Sequence, residues 1–289
     1  MHHLNNPNIT NNKENHLESP RIPLLTGRMG GIRLEFLYIH KHADLEKNKR
    51  SMFAEYLDTI VNLLQKMKAT QEEAIRQAAA LVGETIMGRG LVYTFGSGHS
   101  QLLAHEVHAR AGGLYPVMQI HDPLWGRAER LEGLGEILLK ELPLKPGETI
   151  FVISNSGRNP EPIEVALKAR ELGLHVIAVT SLAHSTSVTS RHSSGKKLFE
   201  LGEVVLDTGT PPGDACLSFS GLPVMAGAVS TVLGAALMNA VMVEAIQYML
   251  DKGFNPPVLM SANLDGSDEY NTGVIAQYDQ IVPGLFGIQ

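Results

Sequence analysis

Two short turns rich in hydroxyl groups each follow an apolar run in this chain. Ser154-Asn155-Ser156-Gly157 comes directly after Ile150–Ile153, and Gly96-Ser97-Gly98-His99-Ser100 comes after Leu91–Phe95. A helical pattern begins soon after each turn. Unpaired backbone N–H groups and the dipole at the start of a helix both favour an anion. The two turns therefore predict a site between them for a small phosphorylated molecule.

The elements that must position these turns alternate between strand and helix. Strands that are almost wholly apolar are predicted at 91–95, 115–120, 149–154, 175–180 and 204–207. Helices are predicted at 53–67, 70–87, 100–111, 127–140, 161–172, near 222–252 and at 268–279. Strands buried on both faces between helices indicate a parallel, doubly wound α/β sheet. Both turns then lie at the carboxyl ends of strands, where such sheets bind ligands.

Composition argues against several classes of partner. The chain of 289 residues has a formal net charge of −6 and no long run of Lys or Arg, so we expect no nucleic-acid partner. Its single cysteine, Cys216, excludes an intramolecular disulfide and fits a cytoplasmic protein. Apolar neighbours and the lack of a nearby base predict that Cys216 is a buried, inert thiol.

One stretch has the length of a membrane span. Residues 222–243 carry no charge over 22 positions. The stretch is nevertheless rich in small residues, contains Pro223 and Asn239, and has no basic cluster beside it. We therefore predict no membrane partner, and a helix that lies in the core or at a subunit interface. The small residues Ala226, Ser230 and Gly234, with Asn239, would suit such an interface.

The first 51 residues differ from the rest because they are rich in Asn and poor in apolar residues. Such a segment buries too little surface to offset its ordering entropy. We predict that 1–51 is a disordered extension or a misassigned start, with Met52 as the natural first residue. Residues 52–289 are predicted to form a single domain with N-terminal helices and a C-terminal helical extension.

The two turns, together with Val179-Thr180-Ser181 at the end of the next strand, resemble the sugar isomerase (SIS) domain. The resemblance runs from about Met52 to about Asp279. The segment 256–263 is similar to an uncharacterised phosphosugar-binding branch near sedoheptulose-phosphate isomerase. The resemblance implies the SIS fold, a flavodoxin-like five-stranded sheet with helices on both faces. It also implies a small phosphorylated sugar as ligand and assembly into homodimers or homotetramers.

The resemblance also implies a set of phosphosugar-binding residues. The phosphate loop corresponds to Ser154, Asn155, Ser156, Gly157 and Asn159. Ser97 and Ser100 match the first loop, which contacts the sugar or its phosphate, and Ser181 ends the next strand. Arg158 stands where many relatives carry an acidic or small residue, and it either bonds the phosphate or points to solvent. No cofactor is implied, and Gln101 replaces the third glycine that a dinucleotide fingerprint needs.

Candidates for proton transfer lie on the helix predicted after the first turn. Aldose–ketose isomerisation needs a carboxylate or imidazole near two adjacent carbons. Glu106 is the predicted base, assisted by His105 or His108, which share one helix face. In heptose-type isomerases a later glutamate of this helix is the proposed base, but here that position is Arg110. The alternative is that Glu106 and Arg110 form a surface ion pair, worth roughly a few tenths of a kcal/mol.

These residues leave three functions open. The leading hypothesis is an aldose–ketose phosphosugar isomerase. The others are a non-catalytic phosphosugar sensor and a lyase or etherase that acts on an amino-sugar phosphate. His105 and His108 could bind a metal with His99 or His121, but a pair of histidines is weak support, and no metal site is predicted.

Overall fold

The computed structural model describes residues 51–140, 142–278 and 281 of the chain. Two helices come first, α1 (Met52–Thr70) and α2 (Glu72–Met87), close to their predicted positions. The chain then alternates through β1 (Val92–Gly96), α3 (Ser100–Glu106), β2 (Val117–Ile120), α4 (Leu134–Lys140), β3 (Thr149–Ile153), α5 (Pro160–Glu171), β4 (His175–Thr180), α6 (Leu182–Ser187) and β5 (Val204–Asp207). A hairpin of β6 (Ala215–Leu217) and β7 (Ala226–Ala228) leads to α7 (Ser230–Asp251) and α8 (Ser267–Ile275).

The first five strands form one parallel sheet in the order β2-β1-β3-β4-β5. This order confirms the doubly wound, flavodoxin-like sheet. The central strands β1 and β3 are buried along their whole length, because helices cover both faces. The strand order reverses between β1 and β3, where sheets of this kind bind ligands. Gly96 pairs with Ile153 at that point, so the two predicted turns begin side by side.

Helix α7 lies in the larger of two apolar clusters, one on each face of the sheet. Its residues Leu237, Met238 and Val241 are completely buried. Within the described ranges, α7 alone is long and apolar enough to cross a membrane, and 44% of its most apolar window is buried inside the protein. One face of α7 is therefore packed in the core, while Val243 and Leu250 on the rest of the helix are exposed.

The small residues of α7 contact an element of the same chain. A Cβ placed on Gly234 would collide with the side chain of Leu103 on α3. Asn239 Nδ2 donates a hydrogen bond of 3.2 Å to Glu106 Oε1, also on α3. The close approach that these residues permit is therefore made by α3 of the same chain, and the predicted subunit interface stays a prediction.

Three segments predicted as helix fold otherwise. Helix α3 ends at Glu106, so 107–111, which hold His108 and Arg110, are not helical. Residues 127–133 form turns, and α4 begins only at Leu134, because buried Asp122 fastens the chain into a tight turn after β2. Residues 222–229 belong to the hairpin and its turn, and α7 begins at Ser230. Cys216 lies in this hairpin and is only partly buried. Burial still raises the pKa of its thiol, which keeps the thiol protonated.

The predicted extension at 1–51 falls, apart from Ser51, outside the described residues. The single domain predicted over 52–289 also stays a prediction, because 282–289 lie outside them as well. The described residues from Ser51 onward form one compact unit.

Candidate functional site

A cavity of about 460 Å³ lies at the carboxyl ends of β1 and β3. Its volume falls within the usual range of small-molecule sites. Both predicted turns line it, together with the loops that follow β2 and β5, one residue of α6 and the start of α7. Six predicted binding residues are among its lining residues: Ser97, Ser100, Ser154, Asn155, Ser156 and Asn159.

The turn after β3 is held in place from behind. The backbone oxygen of Asn155 accepts hydrogen bonds from Ser181 N (3.0 Å) and Thr180 Oγ1 (3.2 Å). Ser154 Oγ accepts a hydrogen bond from Gly157 N at 3.2 Å. The N–H groups of Asn155 and Ser156 donate to no residue in the described part of the chain. The turn therefore presents two backbone donors and the serine hydroxyls at a rigid position.

Gly157 shapes this turn and is not among the lining residues. Its φ of +58° suits glycine, and a Cβ would lie 2.7 Å from Ser185 Oγ and 3.2 Å from Thr180 Oγ1. Its N–H is already used inside the turn. Gly157 thus allows the turn to close against β4 and α6, while its neighbours supply the donors.

The start of α5 has fewer free backbone N–H groups for an anion than the sequence suggested. Pro160 and Pro162, in the first turn of α5, have no N–H group. Glu161 N donates to the backbone oxygen of Glu129 at 3.2 Å. An anion at this place therefore relies on the donors of the turn and on the helix dipole, rather than on the first amides of α5.

The turn after β1 orients a carboxylate that lines the cavity. A Cβ on Gly96 would lie 2.5 Å from the backbone oxygen of Ser100, so the chain reverses tightly here. Ser97 Oγ donates to Glu129 Oε2 at 3.1 Å. Ser100 starts α3, and its hydroxyl makes no hydrogen bond within the described residues. Ser97 therefore orients Glu129, and Ser100 keeps a hydroxyl for a ligand.

Two titratable lining residues, Glu129 and His184, escaped the sequence analysis. Glu129 comes from the turn region that had been predicted as helix, and its Oε1 bonds no described residue. His184 lies on α6, and its Nδ1 is buried without a hydrogen-bond partner among the described residues. Burial, with help from the charge of Arg158, lowers the pKa of His184, so its imidazole is neutral at pH 7. The one feature of the sequence that could have indicated His184 is its position just after Ser181, at the end of a predicted strand.

The predicted proton-handling residues lie elsewhere on α3 and beside it. Glu106 forms an ion pair with Arg110, which is the alternative that its spacing allowed. His105 Nδ1 lies 2.8 Å from Gln119 Oε1, and His108 Nδ1 lies 2.7 Å from the backbone oxygen of Val117. None of Glu106, His105 and His108 lines the cavity. Their catalytic role therefore stays a prediction.

Ser181 and Asp214 mainly organise the walls of the cavity. Ser181 is completely buried, donates to the backbone oxygen of Thr210 at 2.6 Å and accepts from His184 N at 3.1 Å. It caps α6 and so positions His184, and it does not line the cavity. Asp214 lines the cavity, but its carboxylate accepts hydrogen bonds from Val229 N and Ser230 N and thereby caps α7.

One group among the described residues has the spacing of metal ligands, namely Glu132, Glu164 and His192. Glu164 already accepts hydrogen bonds from the backbone N–H groups of Gly133 and Gly135. Glu132 accepts hydrogen bonds from the backbone and hydroxyl of Ser193. These bonds tie two loops together, and they account for the cluster without an ion.

The cavity and its motifs agree with comparisons to known proteins. A family model described as SIS domain matches residues 55–181, which include both turns. A UPF0309 protein of Halalkalibacterium halodurans is 43% identical over 237 residues, which cover 79% of this chain and 98% of that one. A UPF0309 protein of Listeria monocytogenes is 44% identical over 219 residues, which cover 76% and 94%.

Among solved structures, the chain is similar to a phosphoheptose isomerase from Francisella tularensis. The TM-score is 0.46 at 15% identity, over 66% of this chain and 97% of that one. The sugar isomerase domain of an RpiR transcription factor from Sphaerobacter thermophilus matches with a TM-score of 0.46 at 16% identity, over 80% and 99%. The sequence identity to the curated relatives, which the chain covers almost completely, is what decides the family. The chain carries a SIS domain and belongs to the UPF0309 protein family.

Proposed function

We propose that the cavity binds a phosphorylated sugar and that the protein is an aldose–ketose phosphosugar isomerase. One observation carries this proposal: both hydroxyl-bearing turns line a single cavity with a carboxylate, Glu129, and an uncharged imidazole, His184. The SIS domain matched over 55–181 supports the phosphosugar as ligand.

The phosphate group is held by the turn after β3. The unused N–H groups of Asn155 and Ser156 and the hydroxyls of Ser154 and Ser156 donate to its oxygens. Asn159 is anchored through its Oδ1, which accepts a 2.7 Å hydrogen bond from Arg191 Nη1, so its amide nitrogen remains as a further donor. Hydrogen bonds to a charged acceptor are stronger than neutral ones, so this end of the ligand dominates affinity.

The proton transfer is assigned to groups that reach the cavity. Isomerisation removes a proton from C2 of the aldose and returns it to C1, while a second proton moves between the two oxygens. Glu129 has one carboxylate oxygen without a partner among the described residues, and this oxygen suits the base that takes the proton from C2. His184 lines the cavity, and its pKa is lowered chiefly by burial, so its mainly neutral imidazole suits the exchange between the oxygens.

The alternative is that Glu106 is the base of the same reaction, assisted by His105 or His108, as predicted from the sequence. It requires the sugar to reach the far side of α3, or another subunit to bring that face to its cavity. A homodimer or homotetramer in the cytoplasm, predicted from the sequence, would allow the second arrangement. Light scattering after size-exclusion chromatography measures the oligomeric state directly.

The test begins with a thermal-shift screen of sugar phosphates, with inorganic phosphate as reference. The best binders are then incubated with the protein in D₂O and followed by NMR. An isomerase incorporates deuterium at C2 of the aldose even where net turnover is small. Stable binding without exchange would identify the protein as a sensor, and cleavage products in the same spectra would identify a lyase or etherase.

Ser156→Ala tests the phosphate anchor, and Ser261→Ala is the matched control. Ser156 lines the cavity, whereas Ser261 lies in the segment before α8 and does not line it. We expect Ser156→Ala to weaken sugar-phosphate binding by about tenfold, the loss of one hydrogen bond to a charged group. Unchanged binding in Ser156→Ala, with the control also unchanged, would remove the anchor assignment.

A further inference from the structure

Trp125 is the single tryptophan of the chain, and it lies at the edge of the cavity. It remains 55% exposed, although large aromatic side chains contribute most when they are covered. Ligand sites commonly expose aromatic residues beside a few placed polar groups. An exposed tryptophan that lines a cavity is therefore a feature that a ligand would complete.

The backbone of Trp125 adopts a conformation that a bulky residue seldom takes. Its φ is +52°, in the left-handed region. Such conformations persist only where the surrounding structure imposes them, and they concentrate at binding sites. Strain at an exposed residue gains nothing for the core, which suggests that the position of this side chain matters.

The surrounding structure does impose this conformation. Asp122 is completely buried, and its carboxylate accepts hydrogen bonds from Leu124 N and Gly126 N, on either side of Trp125. A Cβ on Gly126 would lie 2.9 Å from the backbone of Gly98, so the turn packs directly on the turn after β1. Trp125 is thus fixed relative to the same turn that supplies Ser97.

The contact between the indole and His121 does not explain why Trp125 is held in this position. Its ring lies edge-on to the ring of His121, with 6.4 Å between the ring centres. His121 is itself exposed, so this contact removes little surface from water. The pair leaves most of the indole open.

We propose that Trp125 is the platform on which the ring of a ring-closed sugar phosphate stacks. This rests on the proposed function, because the turn after β3 must hold the phosphate. The C–H groups on one face of a sugar ring carry partial positive charge, and the face of an aromatic ring is negative. Stacking also removes apolar surface from water. Glu129, four residues further along, lines the same cavity.

The single tryptophan makes a direct measurement possible in the unmodified protein. Glucose 6-phosphate, fructose 6-phosphate and N-acetylglucosamine 6-phosphate are titrated while indole emission is recorded. Glucitol 6-phosphate, which has no ring, and inorganic phosphate are titrated in parallel. We expect an emission change with at least one ring-forming hexose phosphate, and a smaller one or none with the two references, at matched occupancy by calorimetry.

Variants give an independent measurement by calorimetry. Trp125→Ala is expected to weaken binding of the best hexose phosphate by about tenfold and to leave inorganic phosphate unaffected. Trp125→Phe keeps an aromatic face and is expected to retain most of the affinity. Leu131→Ala, at an exposed apolar residue of the same loop region outside the cavity, is the control and should bind as the unmodified protein does.

Two failures are distinguishable. If hexose phosphates bind but leave indole emission unchanged, or bind Trp125→Ala as tightly as the unmodified protein, the stacking role is overturned and the phosphate site stands. If neither inorganic phosphate nor any sugar phosphate binds the unmodified protein, the proposed function itself fails. Equal emission changes with glucitol 6-phosphate and hexose phosphates would also overturn the requirement for a closed ring.

Discussion

The cavity and the outer side of α3 are both rich in polar residues, but their hydrogen bonding differs. At the cavity, His184 Nδ1 is buried without a partner among the described residues, and Ser156 has unused donors. On α3, His105 and Glu106 are already paired with Gln119 and Arg110. Buried polar atoms without partners need an explanation such as a ligand, whereas paired ones do not. In this comparison, therefore, the cavity keeps hydrogen-bonding groups for a ligand, whereas His105 and Glu106 are engaged within the chain.

The largest expected effect separates the two regions by activity. Glu129→Gln should lower deuterium incorporation into the best sugar phosphate by about 100-fold or more, the usual contribution of a general base. Glu106→Gln is the matched control and should change the rate by less than about threefold, because its carboxylate is engaged with Arg110. The reverse ranking in the NMR assay would return the base to α3.

The turn after β3 offers the next test through its glycine. Gly157→Ala should lower the free energy of unfolding by roughly 2 kcal/mol or more, from left-handed strain and collision together, and should abolish sugar-phosphate binding. Gly147 has a φ of +85° but nothing within 4 Å of an added Cβ, so Gly147→Ala carries the strain without the collision. Urea unfolding and calorimetry should show the larger losses at Gly157. Equal losses would mean that close packing of the turn is unimportant.

A buried carboxyl beside the cavity predicts a pH dependence. Glu161 is completely buried, and neither of its oxygens has a partner among the described residues. Burial, then the charges of Asp122, Glu129 and Glu164, raises its pKa from 4.5 to about 8. Between these values the folded state holds a proton that the unfolded state has released, so stability falls as pH rises.

Urea unfolding at pH 6 and pH 8 checks this dependence. Over that interval Glu161 should cost the unmodified protein roughly 2 kcal/mol, at about 1.4 kcal/mol for each pH unit. Glu161→Gln has no such proton and should lack this part of the decline. Parallel pH profiles for the two proteins would show that Glu161 ionises normally or is compensated.

The smallest effect is expected just after α3. Arg110→Ala breaks an ion pair whose side chains are 44% and 35% exposed. It should change the free energy of unfolding by less than about 0.5 kcal/mol and leave deuterium incorporation unchanged. A loss of activity well beyond this change in stability would make the pair part of the site and weaken the contrast between the two regions.

Local pattern was enough to predict the elements that carry the cavity. The apolar runs at 149–154 and 175–180 became β3 and β4 within one residue, because central parallel strands are buried on both faces. Gly157 and its serine neighbours follow β3 as predicted, because small residues are needed where the chain turns sharply. Six of the predicted binding residues line one cavity.

Residues whose positions depend on long-range contacts could not be predicted from local pattern. Helical spacing over 127–140 gave no sign that 127–133 would instead form turns, which bring Glu129 to the cavity. Nor could spacing within 100–111 reveal that Gln119 and Val117, on β2, would engage His105 and His108. These partners are distant in the chain, and a periodic pattern records only which face of an element is apolar.

The sequence by itself determined the alternation of strands and helices, the parallel sheet and the two turns at its edge. These depend on burial and on backbone freedom, which neighbouring residues dictate. The tertiary structure alone decided which polar groups face the cavity and which are consumed by packing. That choice depends on hydrogen bonds between elements such as Ser97 with Glu129 and Asn239 with Glu106, and these form only when the helices have docked on the sheet.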